Sequence, residues 1–282
     1  MNFKSITNNI ESLPPLSDVI LKIQKCYNDD ISNMNIEILV NLIESDAILA
    51  ANILKITNSP TYGFSRKILS ISQAVKLFGV LQIYGIIVSY VVDESIKANT
   101  KVYGLSNERF NDMCHIQSAL IMKWYSKIDF KKAQFLSSLA LIMESGKLIL
   151  AQEIANSSYE LEFRQGLHNC EDIEVYEKNL VSLSSYNISA LLFEHWNLEP
   201  LYIKILLSNK EEQDSEILEF VKILDVVKTA INVKEFLTKD SVLKASKLLR
   251  EMNIDIEPFV AVSIEIKKSY ITMMQKKQQI KK

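Results

Sequence analysis

An all-α protein is the fold class that the sequence predicts, and three observations lead to it. Only six Gly and five Pro occur in 282 residues, so few positions favour the turns that separate short strands. The long apolar segments repeat at three and four residues, which is the spacing of one helix face, instead of alternating as strands do. With 48% hydrophobic residues, the chain can bury one large core or two modest ones.

Capping signals predict where several helices begin. Ser17 and Asp46 each precede an apolar periodic segment, and each is a residue type that accepts hydrogen bonds from the first N–H groups of a helix. Ser70 and Gln73 stand three residues apart, the spacing of a reciprocal capping box. Gly79 is predicted to end that third helix in a left-handed conformation.

The middle and the end of the chain are predicted to be helical as well. The periodic segments in the middle are 107–126, 131–154, 185–196 and 201–208. The stretch 208–216, SNKEEQDSE, contains no apolar residue and indicates an exposed boundary. Three amphipathic helices are predicted after it, before a cationic tail that is typical of a solvated helix end.

Composition excludes several functional classes. Lys and Arg (32) nearly balance Asp and Glu (34), and a formal net charge of −2 provides no field that attracts nucleic acid. Cys26, Cys114 and Cys170 are too far apart for a metal knuckle or a redox pair, which favours reduced thiols in the cytoplasm. The start lacks a secretory apolar segment, and the most lipid-like run, 77–92, is shorter than the roughly 20 residues that span a bilayer. We therefore expect a cytoplasmic protein without a membrane partner.

Histidine, the commonest transition-metal ligand, occurs three times. His115 lies beside an apolar stripe, where a buried or half-buried imidazole is more common than a metal ligand. His168 is predicted to lie in a polar turn, and His195 at a helix end, where an imidazolium meets the helix dipole. None has a second His four residues away on one helical face, and no phosphate-binding glycine motif or nucleophile elbow is present.

Three segments carry a family resemblance. They are LPPLSDVILKI (13–23), ESDAILAANILKITNSPTYGFSRKILSISQAVKLFG (44–79) and MESGKLIL (143–150). Together they resemble the bacterial HDOD domain, a relative of the HD phosphohydrolases. The resemblance implies a multi-helix HDOD (HD-related) core over residues 10–208, followed by a C-terminal helical region over residues 209–282.

The resemblance also implies that a metal site has been lost. HD phosphohydrolases bind divalent metal through an upstream His, an adjacent His-Asp pair and a later Asp, and the pair lies in the pattern Leu-His-Asp-Ile-Gly-Lys-Leu. Here Met143 stands at the His position and Glu144 at the Asp position, while His115 resembles the upstream ligand. One imidazole, one carboxylate and a thioether are a poor set for a hard divalent cation. We therefore expect no metal, no cofactor and no catalytic residue.

Two positions in this pattern have structural interpretations. Glu144 is expected to be a polar side chain at a helix surface, and the alternative is a charge buried beside His115. Gly146 inside a helix is unfavourable relative to Ala, which indicates a close contact with another helix.

The connector after residue 57 is the candidate partner-binding surface, because aromatic and Arg side chains together favour protein contacts. The candidate residues are Asn58, Tyr62, Phe64, Arg66 and Lys67. In the alternative interpretation, which we favour, Asn58 caps a helix, Gly63 turns and Tyr62 packs inward.

The resemblance implies a regulatory protein without enzymatic activity, possessing protein partners in signal transduction, such as two-component signalling or motility control. A homodimer contact through the C-terminal helices is one way in which such a protein is expected to associate. Two alternatives remain at this point. One is a divergent HD-type phosphohydrolase that uses His115 and Glu144, and the other is a nucleotide or cyclic dinucleotide sensor with a pocket near His115 and Lys147.

Overall fold

The structure is a computed structural model that describes residues 3–29, 35–64, 66–209 and 211–280. Lys281 and Lys282 of the predicted cationic tail, and Lys210 of the predicted boundary, lie outside the described residues. Within these ranges the chain is α-helical, with three short 3-10 helices and a single isolated β-bridge between Ile231 and Phe236. The predicted all-α class is confirmed.

Sixteen α-helices make up the described part of the chain. In chain order they are α1 (Phe3–Glu11), α2 (Asp18–Asp29), α3 (Ile36–Glu44), α4 (Ala47–Thr57), α5 (Ile71–Phe78), α6 (Val80–Ser95), α7 (Asn107–Trp124), α8 (Phe130–Ile142), α9 (Ser145–Ala155), α10 (Glu160–Asn169), α11 (Ile173–Val181), α12 (Ser185–His195), α13 (Pro200–Leu207), α14 (Ser215–Ala230), α15 (Lys239–Glu251) and α16 (Glu257–Ile280). The 3-10 helices are Pro60–Tyr62, Thr100–Tyr103 and Tyr125–Lys127.

The chain folds into two compact units, each built from three separate segments. The first unit contains Met1–Ser17, Val88–Cys114 and Ile142–Ile223, and the second contains Asp18–Ile87, His115–Leu141 and Leu224–Lys282. Because both units draw on distant parts of the chain, they do not follow the predicted division into residues 10–208 and 209–282. That division stays a prediction about the extent of the family domain.

The caps predicted at Asp46 and Ser70 form, with one difference. Asp46 accepts hydrogen bonds from the N–H groups of Ile48 and Leu49, and Ser70 accepts one from Gln73 N–H. The Gln73 side chain bonds one residue earlier than predicted, to Leu69 N–H at 2.8 Å. Gly79 has φ of 78° and ends α5, as expected.

Other predictions are corrected. The segment 131–154 is two helices, because α8 ends at Ile142 and α9 begins at Ser145. His168 lies on the exposed side of α10 and not in a turn, since the segment around Gly166 is helical. His195 ends α12, as predicted. Helices α1, α10 and α11 were not predicted, because their short, polar sequences lack a long apolar period.

One helical stretch of the described residues, Phe130–Ala155, is long and apolar enough to cross a bilayer, but 94% of its apolar window is buried inside the protein. Two consecutive helices, Ile71–Phe78 and Val80–Ser95, pass the same test only when taken together, and they are bent by 117° at their junction. Burial of this kind is typical of the core helix of a soluble protein.

The second unit places α16 against the connector that follows α4. Helix α16 contacts the 3-10 helix Pro60–Tyr62, and Phe259 packs edge-on against Trp124 with 5.0 Å between ring centroids. Lys123 Nζ forms an ion pair with Glu265 at 2.7 Å. The C-terminal helix therefore packs against the connector within this unit.

The first unit is organised around the contact between α9 and α12. Gly146 lies where these helices meet, and a Cβ atom placed on it would be 1.9 Å from Ser185 O and 2.7 Å from Ser189 N. Backbone atoms cannot move away as a flexible side chain can. The inference that Gly146 marks a close helix contact is confirmed.

We expect Gly146→Ala to lower the free energy of unfolding by about 3 kcal/mol or more, because α9 and α12 would have to separate. Urea unfolding followed by circular dichroism measures this loss. Gly166→Ala in α10 is the matched control, since its Cβ would meet only the end of the Tyr176 side chain, which can rotate. Because Ala has the higher helix propensity, Gly146→Ala would be neutral or slightly stabilising without a close contact, so the absence of any loss would contradict the helix contact.

Candidate functional site

The break between α8 and α9 creates the local geometry at Met143 and Glu144. Ser189 Oγ of α12 donates a hydrogen bond to Met143 O at 2.7 Å and accepts one from Gly146 N–H at 2.8 Å. One serine hydroxyl therefore satisfies a carbonyl and an N–H that would each have a partner four residues away in a continuous α-helix. The Met143 side chain is completely buried, so its thioether contributes to the core.

Glu144 is buried and paired, so the expectation of a carboxylate at a helix surface is wrong. Its Oε2 lies 2.8 Å from Lys147 Nζ, and its Oε1 accepts a hydrogen bond from the Tyr186 hydroxyl at 3.1 Å. Sequence reasoning missed this because Glu144 lies at the break and not on a continuous helix face. A carboxylate that is removed from water in this way requires a charged partner.

Lys147 has a second buried carboxylate as a neighbour. Glu177 Oε1 of α11 lies 3.5 Å from Lys147 Nζ and accepts a hydrogen bond from the Tyr103 hydroxyl at 2.9 Å. The other oxygen of Glu177 accepts the Ser185 N–H at 2.9 Å, and Lys147 Nζ donates to Ser185 Oγ at 2.7 Å. We call these residues the Lys147 cluster: Tyr103, Glu144, Lys147, Glu177, Ser185 and Tyr186.

Aromatic rings complete the environment of the ammonium group. Lys147 Nζ lies 4.8 Å from the centre of the Tyr186 ring and 6.0 Å from that of Tyr103, distances at which a ring face attracts a cation. Each tyrosine also directs its hydroxyl to one carboxylate. Two carboxylates and one ammonium leave a formal charge of −1, which the neutral donors Tyr103, Tyr186 and Ser185 N–H stabilise.

The pKa values in the cluster follow from burial and from these neighbours. Burial alone would lower the pKa of Lys147, but the carboxylates of Glu144 and Glu177 outweigh burial and hold that pKa above its usual value. Burial, followed by the adjacent carboxylates, raises the pKa of Tyr103 and that of Tyr186 well above the usual range. The cation therefore stays protonated and both hydroxyls remain donors at neutral pH.

His115, in the second unit, is in an apolar environment. Its ring lies 6.5 Å from that of Tyr62, centroid to centroid, and its Nδ1 is enclosed without a hydrogen-bond partner in the described structure. Burial lowers the pKa of His115 to about 4, because the interior disfavours the imidazolium. The prediction of a buried or half-buried imidazole agrees with this position.

The residues at these positions do not fit a divalent metal ion. Met143 offers a thioether, which is a poor ligand for a hard cation, and the carboxylate of Glu144 is already neutralised by an ammonium group at 2.8 Å. Within the described ranges, no group of three or more His, Cys, Asp or Glu side chains is arranged to hold a metal ion.

The candidate partner-binding residues divide into two groups. Asn58 forms three hydrogen bonds: its Nδ2 donates to Leu54 O (2.7 Å) and Ile68 O (2.9 Å), and its Oδ1 accepts Ile68 N–H (2.8 Å). Tyr62 is buried, with its ring edge-on to that of Phe78, and Gly63 turns with φ of 70°. The structural interpretation of these three residues is thus the correct one.

The remaining three candidates, Phe64, Arg66 and Lys67, are exposed. We call these three residues the Phe64 surface. Asn58 and Tyr62 anchor the connector that presents it, so they shape the surface without offering their own side chains to a partner.

Sequence reasoning missed Glu177, Tyr103 and Tyr186 as members of the cluster. Glu177 lies in the polar sequence of α11, where the sequence pattern does not distinguish a buried charged residue from an exposed one. No local signal distinguishes it, since Lys147 and Tyr103, its side-chain partners, are 30 and 74 residues away along the chain.

We expect Lys147→Met to lower the free energy of unfolding by about 3–5 kcal/mol, because two buried carboxylates lose their cation. Lys178→Met, which removes an exposed Lys of α11, is the control and should change stability by less than about 0.5 kcal/mol. Adding Glu144→Gln to Lys147→Met should recover part of the loss, because one unpaired charge is then absent. The free energies of unfolding of the two single variants and the double variant are measured with urea. If the loss in the double variant equals the sum of the two single losses, the residues are not coupled in one cluster.

His115 should make stability depend on pH below about 6.5. The folded pKa of about 4 lies below the usual histidine value of 6.5, so the unfolded chain binds more protons between these values and stability falls as the pH falls. Compared with His115→Gln, the wild type should lose about 2 kcal/mol between pH 7 and pH 5. Taking the difference between the two proteins cancels the pH dependence that other groups contribute. One of these groups is Asp93: burial raises the pKa of its carboxyl to about 6, which changes stability in the opposite direction. A constant difference across this range would contradict a buried neutral imidazole.

Comparison with known proteins agrees with this architecture. A match to a Treponema pallidum (strain Nichols) protein described as uncharacterized is 37% identical over 76 residues, and covers 27% of this chain and 14% of that protein.

Two of the crystal structures that share the fold align with most of this chain. A Shewanella amazonensis SB2B protein, provisionally named a phosphohydrolase, has 16% identity and a TM-score of 0.68, with 94% of this chain and 97% of that chain covered. A Marinobacter aquaeolei VT8 protein, provisionally named a signal transduction protein, has 17% identity and a TM-score of 0.67, with 93% and 59% covered.

A family model described as HDOD domain matches residues 13–211, close to the predicted range of 10–208. The matched range includes the Asn58 connector, the break at Met143 and the whole Lys147 cluster. Since the model covers well over half of the 282 residues, the chain belongs to the HDOD domain family.

Proposed function

We propose that this chain is a non-catalytic HDOD protein that acts in bacterial signal transduction by binding other proteins. The observation that carries the proposal is the ammonium group of Lys147 beside Glu144. A second cation at that carboxylate would be repelled by the first, and the preceding position offers only the thioether of Met143. Hydrolysis by the HD mechanism needs a metal-bound water at this position, and the described residues include no group of three His, Cys, Asp or Glu side chains that could hold the metal.

Binding is the activity that the exposed residues support. The Phe64 surface combines an aromatic ring with two cations on a connector that Asn58 ties to Ile68 and that the buried Tyr62 anchors to the interior. A surface held in place before binding loses little conformational entropy when a partner arrives. The signal transduction name of the Marinobacter aquaeolei relative is consistent with a regulatory role.

We place the protein in the cytoplasm. Cys26, Cys114 and Cys170 form no disulfide, and burial, together with the charges of Glu144 and Asp93, raises the pKa of the Cys114 thiol well above its usual value. Such thiols are typical of a reducing compartment.

Affinity capture from native lysate of the source bacterium tests the proposal, with Phe64→Asp/Arg66→Glu as the surface variant. The wild type should retain a signalling protein in a defined stoichiometry, and the variant should lose it at least tenfold. Leu243→Asp/Lys244→Glu is the matched control, because it makes the same change of charge at exposed positions of α15. Substituting Tyr62 would be unsuitable, since an Asp at that buried position would unfold the connector.

Equal capture by wild type, surface variant and control would contradict the assignment of the surface. The non-catalytic part of the proposal fails separately if the purified protein binds stoichiometric Mn²⁺ or Mg²⁺ and hydrolyses a nucleotide or phosphodiester.

A further inference from the structure

The segment from residue 47 to residue 92 contains no acidic residue. Its four charged residues are all cations: Lys55, Arg66, Lys67 and Lys76. All four are exposed, and none of them forms an ion pair with another described residue. A local charge of +4 within a chain of net charge −2 marks this part of the second unit as a place where an anionic surface would be attracted.

Exposed apolar side chains accompany these cations. Four large ones, on α4, α5 and the connector between them, are between 44% and 69% exposed: Ile48, Phe64, Leu69 and Leu77. Helices α4 and α5 pack against each other, so these side chains and the four cations belong to one region, which we call the cationic face. Apolar groups surrounded by charges are the composition of a protein interface.

The first unit carries a region of the opposite charge. Its acidic residues are Glu160, Glu162, Glu171, Asp172 and Glu174, and Arg164 is the one cation between residues 159 and 175. Arg164 pairs with Glu160 at 3.8 Å, which leaves a local charge of −4. Three large apolar side chains among them are between 47% and 69% exposed: Tyr159, Leu161 and Val175. Because α10 and α11 pack together, we call this region the acidic face.

We propose that the cationic face of one copy of this chain binds the acidic face of another copy. This inference rests on the proposed function, since it names a second copy as the partner of the Phe64 surface. The two faces match in charge, +4 against −4, and each has exposed apolar side chains to exclude water from the contact. Opposite charges at the rim would speed the association of the two copies and fix their relative orientation. The apolar side chains would be buried in the contact and supply most of the binding free energy.

The pairing is head-to-tail, because the two faces differ. In a two-fold symmetric dimer the same patch meets itself, and here that arrangement would place cation against cation. A head-to-tail contact leaves one cationic and one acidic face free on every open assembly. Association therefore continues with concentration until a ring closes or a filament grows.

A second copy explains the observations better than a nucleic acid or a membrane. Ile48, Leu69 and Leu77 gain nothing from a phosphate backbone, and the acidic face together with the net charge would repel any polyanion. Charge attraction to anionic lipid would explain the cations, but it would leave Leu161 and Val175 of the acidic face exposed without a role.

The test is sedimentation velocity on the full chain over a concentration series at low and high salt. The wild type should show a mean mass that rises with concentration and falls with added NaCl. Two variants reverse one face each: Lys55→Glu/Arg66→Glu/Lys67→Glu, and Glu162→Lys/Glu171→Lys/Asp172→Lys. Each should be monomeric alone, because both of its faces then carry the same sign.

An equimolar mixture of the two variants is the decisive sample. Each reversed face then meets an opposite charge on the other variant, so association should return at a concentration at least tenfold below that at which either variant associates alone. The mixture also reports on folding, since a misfolded variant would not regain binding. Lys222→Glu/Lys244→Glu/Lys247→Glu, which reverses three exposed cations elsewhere, should associate like the wild type.

The proposal is overturned if the wild type is monomeric at every concentration, or if mixing the reversed variants restores nothing. It is also overturned if the cationic face binds vesicles containing phosphatidylserine, or a single-stranded oligonucleotide, while the protein stays monomeric. A monomeric wild type that still captures a different protein through the Phe64 surface would refute self-association and leave the proposed function intact. A chain that does neither would refute both.

Discussion

The structure of the first unit depends on one buried ammonium group. Removing a cation from water costs several kcal/mol, and Lys147 recovers this cost only if Glu144 and Glu177 both reach it. Glu177 belongs to α11 and the hydroxyl donors come from the 3-10 helix 100–103 and from α12. Four segments must therefore be correctly placed before the Lys147 ammonium group has all of its partners. The close approach of α9 to α12 that this requires is possible only because residue 146 has no Cβ.

The same interaction involves the segment that resembles the HD phosphohydrolase pattern. Gly146, Lys147 and Leu148 match the HD phosphohydrolase pattern, whereas Met143 and Glu144 stand at its His and Asp positions. The retained residues are those that fix the helix contact and hold the charge, so their packing role does not require a metal. Glu144 is one methylene longer than the Asp of the pattern, and its carboxylate pairs with Lys147 from within the same helical turn. The carboxylate at the Asp position of the pattern is therefore part of a buried ion pair in this structure.

Capping residues and apolar spacing predicted most of the helices. Features that depend on contacts between residues far apart in the sequence could not be predicted. Asp46, Ser70 and Gly79 act through atoms within four residues, so their roles could be inferred from sequence spacing. The break at Met143 depends on Ser189, 46 residues away, and the burial of Glu144 depends on Tyr186. The sequence around Ser189 and Tyr186 contains no pattern that identifies either residue as a partner of this segment. Helices α10 and α11 escaped prediction for a similar reason, since their stability comes from packing and not from a long apolar period.

The connector after α4 shows how interior and surface roles can divide within one short segment. Asn58 bonds both backbone groups of Ile68, ten residues later, which closes the connector into a fixed loop. Tyr62 packs inward on Phe78, and two residues further on Phe64 contacts the same ring while remaining 44% exposed. An exposed aromatic whose inner edge rests on the core keeps its orientation without a partner. Asn58 and Tyr62 thus tie the connector to the interior, while Phe64 combines a contact with the core and an exposed edge.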